Sequence, residues 1–165
     1  MYNKILSVYA LCVAEDNGIA IKIQGVKLTN GSGNIILTGN VGELVRDSVL
    51  VCKTLLSNIS IAFLDFNYHL HFEYIQVKKD GASCGLACFI LLCMLFNIRL
   101  CHQAYPLAAT GEIDLYGNVI PIKYLDIKIA SAPAEIQAIF IPQFQGHIVH
   151  SKKIYQVSNV VELIK

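Results

Sequence analysis

A serine in the middle of the chain has the surroundings that nucleophilic chemistry requires. Ser83 lies in the segment Lys79-Asp80-Gly81-Ala82-Ser83-Cys84-Gly85, directly before the apolar residues 86–96. At the start of a helix, free backbone N–H groups and the helix dipole favour negative charge, so this position suits an attacking hydroxyl and the oxyanion that its attack generates. The same segment also fits a purely structural interpretation, in which Ser83 caps a buried helix behind a glycine turn. The residues around Ser83 alone do not decide between the two.

Two other groups of side chains are of types that bind metals, but neither has the spacing of a typical metal site. His69 and His71 form an H-x-H pair, and no third ligand follows at a suitable distance. The chain has six cysteines, and Cys84, Cys88 and Cys93 lie on one apolar segment without a zinc pattern such as C-x2-C. Reduced thiols that fill a core explain these cysteines better. We therefore predict no metal and no cofactor.

The composition predicts one domain, residues 1–165, with a large buried core. Hydrophobic residues make up 55% of the chain and charged residues 15%, which favours a buried sheet or an apolar subunit interface. The net charge is +1 and like charges do not cluster, so neither nucleic acid nor an anionic membrane is an expected partner. The longest apolar segment has 11 residues, whereas a membrane span needs about 20. No signal-peptide cleavage region is recognisable, so we expect a cytoplasmic protein.

The first part of the chain predicts a hairpin, a third strand and an amphipathic helix. Residues 7–14 and 18–24 are predicted strands, joined by Glu15-Asp16-Asn17-Gly18. Asn-Gly favours a tight turn because both residues tolerate positive φ. Residues 34–38 are a third predicted strand. A helix is predicted over residues 41–56 because apolar side chains recur there at a spacing of three to four.

The middle of the chain is less regular. Residues 58–65 are ambiguous, and the alternation of apolar side chains within them favours extended chain over helix. Residues 67–72 alternate clearly and are predicted as a strand with His69 and His71 on one face. The apolar residues 86–96 predict a core helix.

The C-terminal part predicts short strands around one short helix. Extended segments are predicted at residues 106–113, 119–122, 138–141 and 154–157. A helix is predicted over residues 124–132, where Pro133 stops it. Ser158 is predicted to cap a last helical turn over residues 159–164. The predicted elements together indicate an α+β fold with mixed sheets and packed helices.

The order of several motifs resembles the proteolytic domain of Lon proteases over nearly the whole chain. The segment around Ser83 is similar to that family's KDGPSAG nucleophile motif. Other segments match in the same order: residues 35–48 resemble LTG-x-LG-x-x-M-x-ES, residues 69–71 the H-x-H strand, residues 110–113 TGEI, and residues 117–122 G-x-VLPIGG. The second lysine of the family's GGLKEK segment corresponds to Lys128, which follows Ser83 by 45 residues.

The resemblance implies a Lon proteolytic-domain fold, ribosomal protein S5 domain 2-like, and a Ser-Lys catalytic dyad. Ser83 would be the nucleophile and Lys128 its base, with the lysine pKa lowered by burial from about 10.4 so that a neutral amine can accept the proton. The resemblance also implies supporting roles for Thr110, Asp80 and His71, and an oxyanion site formed by backbone N–H groups of Gly81, Ala82 and Ser83.

The sequence also departs from the family pattern. Ala82 and Cys84 replace the proline and alanine of the nucleophile motif, and both replacements are small. Lys123-Tyr124 stand where the family has two glycines, which implies an altered turn or substrate groove. Gln24 stands at a position where many members have glutamate. No G-x-x-x-x-G-K-[ST] loop of an ATPase occurs in this chain.

These observations predict an ATPase-less Lon-like serine endopeptidase that cuts unfolded or extended polypeptides through an acyl-enzyme. The resemblance implies a homo-oligomer, a hexameric ring, and leaves room for a separate AAA+ ATPase as partner. The alternative is a non-catalytic Lon-like module that supports assembly or binds a partner. The presence of both dyad residues favours the enzyme.

Overall fold

The molecule is built around a large mixed β-sheet. The computed structural model describes residues 3–144, 146, 148 and 150–165. The strands are β1 (Ile5–Ala14), β2 (Asn17–Leu28), β3 (Ile35–Thr38), β4 (Asn67–Phe72), β5 (Leu107–Ala109), β6 (Glu112–Ile113), β7 (Val119–Ile120), β8 (Ala138–Pro142) and β9 (Lys153–Val157). Within the described residues, seven of them form one sheet in the order β3-β4-β2-β1-β5-β8-β9, and β6 pairs with β7 separately.

In the part of the chain that the structure describes, three α-helices and several short 3-10 helices accompany the sheet. The α-helices are α1 (Glu43–Ile59), α2 (Gly85–Leu95) and α3 (Leu125–Ala130), and the 3-10 helices cover Ile61–Asp65, Ala82–Cys84 and Val160–Leu163. Helix α2 is apolar on every side and nearly all of it is buried, which confirms the predicted core helix. No helix in the described part of the chain has the length and apolar character needed to cross a bilayer.

Side chains on the two faces of the sheet pack into two separate hydrophobic clusters. The larger cluster contains most of the buried residues of α1 and α2, together with Val8 and Ala10 of β1. The smaller cluster contains Leu11 of β1 and Ile129 of α3. Because successive strand residues point to opposite faces, β1 contributes to both clusters. Ser83 precedes a helix of the first cluster, and Lys128 lies on the helix of the second.

The turn of the β1–β2 hairpin differs from the sequence prediction. Ala14 pairs with Asn17 in the antiparallel register, so the turn consists of Glu15 and Asp16, at φ 47° and 64°. Asn17 and Gly18 belong to β2. The prediction was wrong because it took Asn-Gly for the turn, whereas the strand register moves the turn two residues earlier.

Gly18 has a packing role instead. A Cβ at this position would lie 2.4 Å from the carbonyl oxygen of Ile127 in α3. The glycine therefore allows the backbone of α3 to approach the hairpin closely. Because α3 also carries Lys128, this contact helps to position that side chain.

Residues 58–65 are helical rather than extended. Helix α1 continues to Ile59, and Ile61–Asp65 form a 3-10 helix. The ring of Phe63 is fully buried and stacks on Tyr68 at a centroid distance of 4.3 Å, and the Tyr68 hydroxyl donates to the Phe63 carbonyl at 3.1 Å. The prediction was wrong because it rested on the alternation of side chains within the segment, which does not reveal the contact of Phe63 with the neighbouring strand β4.

The predicted strand at residues 106–113 is two strands that belong to different sheets. β5 pairs with β1 and β8 in the large sheet, whereas β6 pairs with β7. Thr110 and Gly111 connect them, and the Gly111 backbone bonds to the segment around Ser83 (described below). The chain therefore leaves the large sheet at the residues whose backbone holds the Ser83 segment.

The last helical turn is capped by a different residue from the one predicted. Its N-cap is Asn159, whose side chain accepts a hydrogen bond from the Val161 backbone N–H at 3.1 Å. Ser158 instead bonds to the Glu162 carboxylate through its backbone N–H and its hydroxyl. Both residue types cap helices well, so local sequence does not distinguish the two positions.

Candidate active site

The turn that carries Ser83 is held in place by the chain between β5 and β6. Ala82–Cys84 form a 3-10 helix that leads directly into α2. The Gly111 N–H donates to the Ser83 carbonyl at 2.8 Å, and the Gly111 carbonyl accepts from the Leu86 N–H at 2.9 Å. These two bonds link the backbone on either side of the turn to one residue, which limits movement of the Ser83 side chain.

The Ser83 side chain does not act as a helix cap. Neither the 3-10 helix nor α2 has a side-chain hydrogen bond at its N-cap, and their N-cap residues are Gly81 and Cys84. Ser83 is half-buried, and no described residue hydrogen-bonds to its hydroxyl within 3.5 Å. The structural interpretation of Ser83 as a cap is therefore wrong. Its hydroxyl is free of the contacts that a structural serine normally makes.

Ser83 and Lys128 line the same cavity, which has a volume of about 410 Å³. Its wall also includes residues of the β1–β2 hairpin, the segment before Ser83 and the segment before α3. These are Ala10, Cys12, Val13, Ala14, Ile19, Ile21, Val45, Phe72, Val77, Lys78, Lys79, Asp80, Gly81, Cys84, Lys123 and Tyr124. The fold thus brings the two residues of the proposed dyad to one site, although they belong to different layers of the core.

The surroundings of Lys128 disfavour its charged form. Lys128 is 7% exposed, and burial lowers its pKa from the ordinary lysine value, an effect that a Cys12 thiolate would oppose. Burial raises the pKa of Cys12 itself to about 12, so that thiol stays neutral near pH 7. Asp126 is exposed and is not among the groups that shift the pKa of Lys128. The surroundings of Lys128 therefore favour the neutral amine that a general base requires.

Backbone N–H groups suited to an oxyanion lie at the Ser83 turn. Within the described residues, the N–H groups of Gly81, Ala82 and Ser83 find no acceptor. Gly81 has an extended backbone, and a Cβ added there would meet no atom within 4 Å. The space beside Gly81 leaves room for a bound chain to approach these donors.

Asp80 joins the Ser83 segment to α1. Its carboxylate accepts a hydrogen bond from the Leu44 N–H at 3.0 Å, and Gly42, the N-cap of α1, has no side chain to make this bond itself. A Cβ on Gly42 would lie 2.3 Å from the Asp80 carboxyl carbon. Asp80 therefore caps α1 from 36 residues away and fixes the chain ahead of Ser83.

Lys79 is a structural residue that the sequence interpretation missed. Its side chain is 5% exposed and its ammonium donates to the carbonyls of Gly39, at 2.9 Å, and Tyr74. Its backbone also bonds to neighbouring loops, since the Lys79 N–H donates to Asn40 and the Lys79 carbonyl accepts from Gly42. Hydropathy gives no signal for a buried lysine of this kind, because its carbonyl partners come from the backbone of distant segments.

The two remaining predicted supporting residues make no hydrogen bond to Ser83 or Lys128 among the described residues. Thr110 is fully buried, and its hydroxyl has no hydrogen-bond partner among the described residues, so the predicted bond to Lys128 is not formed. The His71 imidazole bonds to the Thr38 hydroxyl at 2.8 Å, and His69 bonds to the same oxygen at 2.9 Å. The two histidines lie on one face of β4, as predicted.

The histidines and thiols do not assemble into a metal site in the described residues, where no three His, Cys, Asp or Glu side chains are grouped closely enough. All six cysteines are free thiols, and Cys52, Cys84, Cys88 and Cys93 are buried. This agrees with the prediction that they fill the core. Gln24, at the position noted as a departure, donates to the Glu73 carboxylate at 3.1 Å.

Comparisons with known proteins connect this site to a family. The model of the Lon protease (S16) C-terminal proteolytic domain matches residues 2–159. A Lon protease of Rickettsia felis is 28% identical over 99% of this chain and 23% of its own length. The peroxisomal Lon protease homolog 2 of Caenorhabditis elegans is 34% identical over 82% of this chain and 18% of its length. A Lon protease of Clostridium beijerinckii is 37% identical over 68% and 15%, respectively.

The chain thus spans less than a quarter of the length of these curated relatives. The match to the domain model, by contrast, runs from the second residue into the segment that follows β9. Its extent includes the Ser83 turn, the Gly111 connection and α3. The chain therefore belongs to the Lon protease (S16) family and matches its C-terminal proteolytic domain.

Proposed function

We propose that residues 1–165 form a single proteolytic domain that hydrolyses peptide bonds with Ser83 as nucleophile and Lys128 as general base. The observation that carries this proposal is the shared cavity, in which an unbonded serine hydroxyl accompanies a lysine whose pKa is lowered by burial. A serine hydroxyl needs a base beside it, and a lysine provides one only when its amine is neutral. We also propose that the fold of this domain is similar to that of domain 2 of ribosomal protein S5.

The reaction proceeds in two steps. Lys128 Nζ takes the proton of the Ser83 hydroxyl as Oγ attacks the scissile carbonyl carbon, and the oxyanion forms beside the free N–H groups of the Ser83 turn. The tetrahedral intermediate collapses as the lysine returns the proton to the leaving amine, which leaves an acyl-enzyme on Ser83. Water, deprotonated by the same amine, then attacks the ester carbonyl. The lysine returns this proton to Ser83 Oγ as the ester bond breaks, which releases the carboxylic acid and restores the serine hydroxyl.

The substrate, assembly and location belong to the same proposal. The open space beside Gly81 suits an extended polypeptide better than a folded one. Because the chain spans only part of its relatives, a homo-oligomeric ring and action with a separate AAA+ ATPase remain proposals drawn from the family. A cytoplasmic location stays a prediction, and one relative is named as peroxisomal.

The test combines covalent labelling of the serine with a measurement of substrate cleavage. Wild type, Ser83→Ala and Lys128→Met are incubated with unfolded casein and, separately, with a fluorophosphonate that acylates activated serines. We expect cleavage and a mass increase on Ser83 in wild type only. Ser32→Ala, at an exposed serine outside the cavity lining, is the matched control and should behave as wild type. Labelling or cleavage retained by Ser83→Ala would disprove the assignment.

One observation favours the non-catalytic alternative. No hydrogen bond within 3.5 Å joins the Ser83 hydroxyl and the Lys128 amine, and the buried Thr110 hydroxyl is unpartnered within the described chain. A module without activity would leave Ser83 unlabelled by the fluorophosphonate under all conditions, including assembly with a partner. The catalytic proposal does not require this bond in the free chain, because catalytic hydrogen bonds often tighten only in the substrate complex.

A further inference from the structure

The cavity that holds Ser83 and Lys128 is unevenly charged. Four lysines line it, namely Lys78, Lys79, Lys123 and Lys128, whereas Asp80 is the one acidic residue in its described lining. With Lys128 neutral, as the proposed mechanism requires, the remaining side chains give the lining a net charge of about +2 near pH 7. A positive wall beside a reactive serine will attract carboxylates more than ammonium groups.

Three of the four lysines already have another role. The Lys79 ammonium is bound by two backbone carbonyls. Lys78 lies 3.8 Å from the Asp80 carboxylate. Lys128 is the proposed base and is buried. Lys123 is the exception: it is exposed, and no described carboxylate lies within 4.0 Å of its amine.

The backbone fixes the position of Lys123 next to the reactive residues. Tyr124, which follows it, adopts the left-handed conformation at φ 59° and ψ 37° and is the N-cap of α3. Residues other than glycine take this conformation at a cost, so it persists where the surroundings impose it. Lys128 lies one helical turn after Tyr124, and its backbone N–H donates to the Tyr124 carbonyl at 3.0 Å. Lys123 therefore directly precedes the residue that caps the helix of the proposed base, and it lines the same cavity.

The rest of the lining is apolar and suits a hydrophobic side chain. Ile19, Ile21, Val45, Phe72 and Val77 all face the cavity. A substrate segment that fills it would thus bury an aliphatic or aromatic residue, and the neighbouring residues of the segment would meet the charged wall. An acidic neighbour would gain an ion pair there, and a basic neighbour would be repelled.

We infer that this site selects polypeptide segments in which an aspartate or glutamate lies beside the apolar residue, and that Lys123 recognises the carboxylate. This inference rests on the proposed peptidase function and adds a substrate class to it. Lys123 acts on selection and takes no part in the chemistry. Since the lysine is exposed, the gain is that of a surface ion pair, and salt weakens it.

The experiment uses pairs of fluorogenic peptides that differ by one isosteric change, Glu against Gln, at each of two positions on either side of a central phenylalanine. For wild type at low ionic strength, we expect kcat/KM to be about 2–5 times higher for the glutamate peptide at one or more positions. The preference should shrink in about 0.5 M salt. Lys123→Gln should bring the ratio close to one, and Lys123→Glu should reverse it, so that the glutamine peptide is cleaved faster than the glutamate peptide.

Lys153→Gln is the matched control, because Lys153 is exposed on β9 and lies outside the cavity lining. It should keep the wild-type ratio. Peptide binding to Ser83→Ala, measured by fluorescence anisotropy, should show the same preference without any turnover.

The outcomes separate the two proposals. Equal cleavage of glutamate and glutamine peptides by wild type overturns the charge selection and leaves the peptidase intact. A preference that survives Lys123→Gln shows that another residue reads the carboxylate and overturns the assignment to Lys123. If no peptide is cleaved and Ser83 is not labelled, the peptidase function is wrong, and the inferred substrate class is wrong as well.

Discussion

Two lysines that line one cavity are buried to a similar extent but differ in the hydrogen-bond partners of their amines. Lys79 is 5% exposed and Lys128 is 7% exposed, and burial lowers the pKa of both below the ordinary lysine value. The Lys79 ammonium donates to the carbonyls of Gly39 and Tyr74. The Lys128 amine donates to no described residue. Backbone carbonyls thus replace the lost water around the Lys79 amine, whereas no described group replaces it around the Lys128 amine.

The difference separates a structural lysine from the lysine that we propose as the base. An ammonium that is bound by carbonyls is stabilised in its charged form and holds two loops together. An amine with apolar neighbours is more easily deprotonated and has a free lone pair for a proton. Burial alone therefore does not identify a catalytic lysine; the absence of compensating partners is the informative feature. Four predictions test this distinction.

The largest expected effect is on activity. Lys128→Met should lower kcat/KM on peptide substrates by about 10⁴-fold or more, because the nucleophile loses its base. Lys128→Arg keeps a positive charge but cannot deprotonate, so it should be equally inactive. The measurement is the initial rate of peptide cleavage, with circular dichroism as the check of folding. Substantial activity in Lys128→Arg would show that the lysine serves as a cation and not as a base.

The next effect is on stability, at the other lysine. Lys79→Met should lower the free energy of unfolding by about 2–4 kcal/mol, since two carbonyls lose their donor. Urea denaturation at pH 7 measures this change. The same substitution at Lys128 is the matched control. If Lys79→Met unfolds at the same urea concentration as wild type, its hydrogen bonds contribute little and the distinction between the two lysines is lost.

Lys128→Met should change stability in the opposite direction. At neutral pH, removal of a buried amine that has no partner should raise the free energy of unfolding by about 0.5–2 kcal/mol, a common result when a functional group held at a cost is replaced. Urea denaturation of both proteins between pH 6 and about pH 10 measures the difference.

The pH dependence of that difference has a definite sign. Because the lysine pKa is lower in the folded state, the unfolded chain binds more protons between the two pKa values. Wild-type stability therefore rises with pH in that interval, and its deficit relative to Lys128→Met should shrink. The same deprotonation should appear as an acid limb of kcat/KM, with an apparent pKa below the ordinary lysine value. A constant deficit across this range would contradict the lowered pKa.

The smallest effect concerns Asp80, the residue after Lys79. Asp80→Ala should lower the free energy of unfolding by about 1 kcal/mol, because α1 loses its cap. Asp80→Asn keeps an oxygen acceptor for the Leu44 N–H and should lose only a few tenths of that. Thermal or urea denaturation of the pair measures the cap. Equal stability of all three proteins would mean that Asp80 does not anchor the Ser83 segment.

Much of the fold was predictable where side-chain pattern and burial agree. The alternation in residues 67–72 predicted β4 and the common face of His69 and His71, and both are confirmed. The continuous apolar segment after Ser83 predicted a buried helix, which is α2. The motif order predicted the family, which the domain match confirms. Local periodicity carries this information because each face of a strand or helix meets one environment.

Predictions were wrong where contacts between elements, and not the pattern within one segment, determine the conformation. The strand register of β1 and β2 places the hairpin turn at Glu15 and Asp16 and not at Asn-Gly. Residues 58–65, predicted as extended, are mostly helical, and Phe63 within them stacks on Tyr68. The strand predicted through Thr110 divides between two sheets. In each case the deciding interaction joins one element of structure to another, so the side-chain pattern within a single segment does not contain it.

The sequence by itself determined the candidate nucleophile, the candidate base and the family, because residue types and motif order are properties of the chain. Only the tertiary structure decided that Ser83 and Lys128 line one cavity and that Ser83 is not a helix cap. It also decided which of two buried lysines has partners. The physical reason is that desolvation and hydrogen bonding depend on neighbours brought from other segments, and these neighbours set the pKa and freedom of a side chain.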